Sequence, residues 1–145
     1  MVYAYGQTNI ALTGSGTLDA SDTRPWNTGS NRAAILALLV AANVRPQNRI
    51  VPERGRMRSS FIERCRCTNV LIQGVTLRQS QFWQLHPTLS RNVTVDAVTS
   101  GGADNSNTDD CNPESCDDVV VKNCTLEAKD DCIAISPDAM TTAAA

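Results

Sequence analysis

The sequence has little of what would place it quickly. Its 145 residues carry one histidine, His86, and a formal net charge of only −2, with a pI near 5.3. That balance offers no overall attraction for nucleic acid or an anionic membrane surface. No apolar run is longer than Ala33–Ala42, and a helix needs about 20 apolar residues to cross a bilayer. Met1 is followed by Val-Tyr-Ala-Tyr-Gly, neither a basic n-region nor an apolar h-region, so no signal peptide is expected here. Six cysteines are too sparse for a disulfide mini-protein, and their even count says nothing about redox state. Cys65-x-Cys67 and Cys111-x4-Cys116 lack the Cys-x2-Cys spacing of structural zinc, and one histidine does not complete such a site. What remains is a chain of single-domain length, 41% hydrophobic and long enough to bury a core.

What is present is a repeat. Four segments share one pattern: Asn9-Ile10-Ala-Leu12-Thr-Gly14, Asn69-Val70-Leu-Ile72-Gln-Gly74, Asn92-Val93-Thr-Val95-Asp-Ala97 and Asp118-Val119-Val-Val121-Lys-Asn123. Each opens on Asn or Asp, which tolerate left-handed backbone. The positions one and three further on are β-branched or leucine, the period of a strand with one buried face. Five residues on stand Gly14, Gly74, Ala97 and Asn123, three of them suited to a sharp bend. A second short strand follows at Val75–Leu77, Val98–Ser100 and Cys124–Leu126, with the first copy, Gly16–Leu18, displaced by one residue. The later copies start 23 and 26 residues apart. Coils of that length suit an all-β parallel β-helix, in which equivalent residues stack about 4.8 Å apart. Cys124 then shares an inward position with Val75 and Val98, as a small buried apolar residue. A β-sandwich is the alternative, but it requires no such register.

The 60 residues between Asn9 and Asn69 hold an insertion, from about residue 21 to 60. Asp22–Arg32 reads as a loop. Asn31-Arg32 is placed to cap a helix over Ala33–Val44, which Arg45-Pro46 then ends. Arg45, Arg49, Arg54, Arg56, Arg58, Arg64 and Arg66 follow. They are read as a solvated run in preference to a cationic rim for polyanions.

The densest carboxylates beside the expected strands are Asp109, Asp110, Asp130 and Asp131, and Asp109 and Asp131 stand 22 positions apart, close to one coil. Hydrolysis of a glycosidic bond needs one protonated carboxyl and one ionised carboxylate. Stacking like charges on adjacent coils raises at least one pKa. Asp-rich corners also serve as plain turns or bind calcium, and the spacing alone leaves these readings open. Cys111 and Cys116 are read as ladder thiols, with a disulfide between them left open. Cys132 beside two carboxylates is a poor thiolate. His86, flanked by Phe82, Trp83 and Pro87, reads as structural. Asn92-Val-Thr94 and Asn123-Cys-Thr125 fit the glycosylation sequon, but both fall at coil corners, which favours a structural role.

These residues carry a resemblance. Asn107-Thr-Asp109 with Cys111-Asn-Pro-Glu-Ser-Cys116, and Asp130-Asp131-Cys132-Ile-Ala-Ile135, resemble the polygalacturonase family, glycoside hydrolase family 28. Supporting segments are Val2–Tyr5, Gly14–Asp19, Arg58–Ile62 and Gln81–Pro87 before Asn92–Val95. The resemblance implies a right-handed parallel β-helix that hydrolyses the α-1,4-galacturonan of pectin with inversion. It implies Asp130 as general acid, Asp109 and Asp131 as the pair that positions and deprotonates water, and Asn107 as a substrate-side neighbour orienting them. It implies no cofactor, no metal, no nucleic-acid or membrane partner, and secretion. The family pattern has Gly where Asp110 stands, and usually Gly or Gln where Lys129 stands. Asp110 is therefore expected to add charge at a position suited to glycine, partly offset by Lys129.

The family's Gly-His-Gly motif and downstream Arg-x-Lys pair are absent from these 145 residues. The expectation is a partial β-helix domain over 1–145, with 137–145 as a disordered tail, impaired as an enzyme and monomeric but aggregation-prone through its coil ends. Two other functions stand beside it: a calcium-dependent lyase resembling pectate lyase, and a non-catalytic β-helix that binds carbohydrate.

Overall fold

A computed structural model describes residues 1–21, 32–45, 48–49, 58–101 and 106–137. Eleven strands in the described residues form three parallel sheets. The first contains β1 (Val2–Tyr5), β4 (Ile62–Cys65) and β7 (Leu85–Thr88). The second contains β2 (Thr8–Thr13), β5 (Thr68–Gln73), β8 (Arg91–Asp96) and β10 (Asp117–Lys122). The third contains β3 (Thr17–Asp19), β6 (Thr76–Arg78), β9 (Thr99–Gly101) and β11 (Thr125–Glu127). Each turn of chain adds one strand to each sheet, so the architecture is a parallel β-helix and the sandwich alternative falls away. Single bridges Leu85–Cys111–Ile133 and Thr88–Glu114–Ser136 carry the first sheet beyond β7.

The repeat falls in register. Ile10 pairs with Val70, Val70 with Val93 and Val93 with Val119, and Leu12, Ile72, Val95 and Val121 form the next row. Leu18, Leu77, Ser100 and Leu126 form a third, with the one-residue offset of the first copy absorbed. The middle coils bury these side chains fully, while the end-coil members Ile10, Leu12, Val119 and Val121 are partly buried. Cys124 follows Val75 and Val98 in their row, as the repeat implies, and packs against the core.

The corners explain the punctuation. Asn9, Asn69, Asn92 and Asp118 all have φ between 52° and 58°, the left-handed region that Asn and Asp enter most readily. Asn69 donates to Asn9 at 2.7 Å and Asn92 to Asn69 at 2.9 Å, so three of these corners are joined by an amide ladder. The sequon asparagines Asn92 and Asn123 thus both serve corners, Asn123 by donating to Asp96 at 2.8 Å. At the second corner all four residues bend: Gly14, Gly74, Asn123 and also Ala97, at φ 51°. Beside the first corner, Cys67, Ser90 and Cys116 repeat one device. Each donates to the carbonyl two residues back and to a carbonyl on the preceding coil, Ala4, Arg64 and Pro87 respectively.

In the insertion, α1 spans Arg32–Ala41, starting one residue before and ending three residues before the Ala33–Val44 that the sequence suggests. Asn43 turns left-handed at φ 50°, its N–H bonding Val40 and that of Val44 bonding Leu39. This pair of bonds closes a helix C-terminus. The proposed Asn31 cap, the loop at 22–31, Arg54, Arg56 and the tail at 138–145 lie outside the described residues. Within them, no helix is long and apolar enough to cross a membrane. The arginine run is not uniformly solvated: Arg64 is buried and Arg58 half-buried. Arg64 donates to the carbonyls of Val2 and Glu63, both at 3.0 Å, and burial pulls its pKa down.

Candidate active site

The third sheet hands the chain to the first at the corner that carries Asp109, Asp110, Asp130 and Asp131. Backbone bonds continue the ladder through it. Gln84 N–H bonds Asp109 C=O, Leu85 N–H bonds Asp110 C=O, Asp110 N–H bonds Asp131 C=O and Cys111 N–H bonds Cys132 C=O. Cys111 aligns with Ile133, so Asp131 stands at the Asp109 position one coil further along the stack. Their 22-residue separation is one turn.

The four carboxylates differ in environment. Asp109 is buried and its Oδ2 accepts from Asn112 Nδ2 at 2.8 Å. Its Oδ1 has no partner among the described residues. Asp130 and Asp131 are exposed. Asp130 Oδ2 accepts from the Asn107 backbone N–H at 3.2 Å and from its Nδ2 at 3.5 Å. The structure thus brings Asn107 onto Asp130, and Asp131 into the row of Asp109. The side-chain partner of Asp109 is Asn112, not Asp130 or Asp131.

Asp110 does not behave as expected from its charge. Its backbone is not left-handed, so nothing there calls for glycine. Its side chain is fully buried and accepts from Gln84 Nε2 at 3.1 Å. Burial raises its pKa, against smaller opposing contributions from Ser100, Gln84 and the Glu127 backbone. Among the described residues its Oδ2 lacks a well-formed hydrogen bond. Asp110 is therefore a core group under the site, and its elevated pKa works against its adding negative charge there.

The cysteines are all free thiols. Cys111 lies in the core, where burial pushes its thiol up to about 12. Cys116 bonds to carbonyls at its corner, which leaves the open question of a Cys111–Cys116 disulfide answered in the negative. His86 is structural. Its Nε2 lies 3.0 Å from Glu114 Oε2 and its Nδ1 3.2 Å from Ser60 Oγ, with Trp83 edge-on at 4.7 Å. Among the described residues no cluster of three or more His, Cys, Asp or Glu could hold a metal ion.

Three site residues are not assigned to the site from the sequence: Asn112, Gln84 and Arg58. Subtracting one coil from Asp110 lands on Gln84, so the repeat, extended past the strands, would have found it. Asn112 and Arg58 reach their partners only through the folded corner.

The corner of this parallel β-helix thus stacks four aspartates, Asp109 and Asp110 buried and Asp130 and Asp131 open to solvent. Residues 42–143 match the family model for glycosyl hydrolases family 28, and the chain belongs to that family. It is 34% identical to a probable polygalacturonase of Vitis vinifera over 79 residues, which is 54% of this chain and 16% of that protein. A hyperthermoactive exopolygalacturonase from Thermotoga maritima superposes with a TM-score of 0.82 at 28% identity, covering 92% of this chain and 34% of the other. A Parabacteroides merdae protein shares the fold at 22% identity, with a TM-score of 0.61 over 95% of this chain and 55% of its own. The chain thus spans about a third of the solved exopolygalacturonase and less of the plant protein.

Proposed function

We propose that the protein hydrolyses α-1,4-galacturonosyl bonds in pectin-type polysaccharide with inversion, outside the cell where that polymer lies. Asp130 gives its proton to the leaving oxygen, and Asp109 with Asp131 positions and deprotonates the attacking water. Asn107 orients Asp130 and meets the substrate. The observation that supports this most is the register, which stacks Asp109 and Asp131 one coil apart while Asp130 is hydrogen-bonded separately. Because these residues include no Gly-His-Gly or Arg-x-Lys segment, turnover by the 145-residue chain alone is expected to be weak.

The test is reducing-sugar release from polygalacturonate by the purified chain. Asp130→Asn is expected to abolish release, a loss of roughly 10²- to 10⁴-fold for a general acid, and proton NMR of the first product is expected to show inverted anomeric configuration. An ultraviolet-absorbing unsaturated product that disappears with chelator would replace this reading with a lyase. Galacturonan binding without turnover, indifferent to Asp130→Asn, would replace it with a binding module.

A further inference from the structure

Arg58 enters from the second coil and ends at the fourth. Its Nη1 donates to Ser106 C=O at 2.7 Å and to Gln81 C=O at 3.3 Å, and its Nη2 donates to Asn107 Oδ1 at 3.1 Å. Its guanidinium carbon lies 5.1 Å over the Phe82 ring, a cation–π contact that holds the plane of the fork. Groups on two further coils fix this one side chain.

The two longest reaches share a geometry. Ser106 C=O and Asn107 N–H belong to one peptide group. Arg58 holds the oxygen of that amide, and Asp130 Oδ2 accepts from its N–H at 3.2 Å. The Asn107 side chain is a second amide with the same arrangement: Arg58 on its Oδ1, Asp130 Oδ2 on its Nδ2 at 3.5 Å. Asn107 sits at φ 58°, a left-handed conformation in which both amides serve the same carboxylate oxygen.

We propose that Arg58 is a positioning residue for Asp130, acting through two parallel amide relays at Ser106–Asn107. The guanidinium polarises both amides, and polarised amides are better donors to the carboxylate beyond them. Both relays end on Oδ2, so Oδ1 is left as the oxygen that carries and delivers the proton. Arg58 also fixes which way the Asn107 amide faces: with the guanidinium on Oδ1, Nδ2 is the only end that can meet Asp130. The proposal rests on the role given to Asp130 above, but its geometry can be tested without turnover.

The activity-independent test is NMR of Asn107. Its backbone N–H and Nδ2 resonances are expected to follow pH as Asp130 titrates, and Asp130→Asn should remove that response. Arg58→Ala should diminish it at both groups. Arg58→Lys, which replaces the fork by a point charge, should diminish it as well and serves if the alanine variant unfolds. An unchanged response in a folded Arg58 variant overturns the proposal, whether or not the protein is active. Where turnover is measurable, Arg58→Ala should lower kcat roughly 10- to 100-fold, the usual range for outer partners of a working group, with KM nearly unchanged. Adding Asn107→Gly to Arg58→Ala should then cost little more, because the relays are already broken. Losses that multiply would show that Arg58 acts elsewhere. Loss of turnover in wild type with the NMR response intact would count against the hydrolase and leave the relay standing.

Discussion

At the scale of single residues, Asp110 shows how position overrides identity. Burial raises its pKa from the ordinary 3.8, so the folded state holds this proton more tightly than the unfolded chain. Stability from this group is therefore intact below pH 3.8 and declines as pH rises through the window between that value and the raised one. Asp110→Asn keeps the Gln84 contact and removes the titration. It is expected to raise the melting temperature at pH 7 and to flatten its fall above pH 4. A variant that melts lower than wild type at pH 7 would show that the ionised form is well accommodated. Asn69 makes the opposite case, since it both donates and accepts in the corner ladder. Asn69→Ala loses two hydrogen bonds and leaves a Cβ in left-handed backbone. The expected loss is about 1–3 kcal/mol. Asn69→Gly keeps the backbone and should lose less, and urea melts of the two variants measure the difference.

At the scale of elements, the strands and corners were legible and the long side-chain reaches were not. The rows Ile10–Val70–Val93–Val119 and Val75–Val98–Cys124 follow from the repeat, because a parallel coil forces equivalent positions to stack. The left-handed Asn and Asp corners follow from their chemistry. Arg58 was hidden because its acceptors are mostly main-chain carbonyls at 81 and 106, which leave no mark on a sequence. A charged residue among six other arginines reads as solvated until the corner that buries it is known. The inward turn of Asp110 was hidden because the inside–outside phase resets at each corner. Corners also discriminate between glycines. A Cβ at Gly74, φ 76°, would stand 2.5 Å from the Gly14 carbonyl oxygen, whereas one at Gly16 would meet nothing within 4 Å. Gly74→Ala is expected to destabilise by roughly 2 kcal/mol or more, and Gly16→Ala to be near neutral. Equal melting temperatures for the pair would contradict the corner geometry.

At the scale of the molecule, β2 and β10 are the outer strands of the second sheet and β3 and β11 those of the third. Val119, Val121, Ile133 and Ile135 line an open recess of about 570 Å³ at the β10 end. Parallel edges that no strand covers among the described residues, above an apolar recess, favour association. The 145-residue polypeptide is expected to associate in a concentration-dependent way, and Ile135→Lys to reduce this. A sharp monomer peak with cooperative melting at all concentrations would refute it. Apart from one extra residue between β2 and β3, the turns differ in length at one place. Both long excursions, residues 20–61 after β3 and 102–110 after β9, leave from the passage between the third sheet and the first. The other passages are closed by single bends and by the Asn and Cys–Ser–Cys devices. Asp130, Asn107 and Arg58 all lie on that one permissive seam. Length and composition can therefore drift beside the stacked aspartates while every stacked row keeps its neighbours, so the surface around that corner can diversify without renegotiating the fold beneath it.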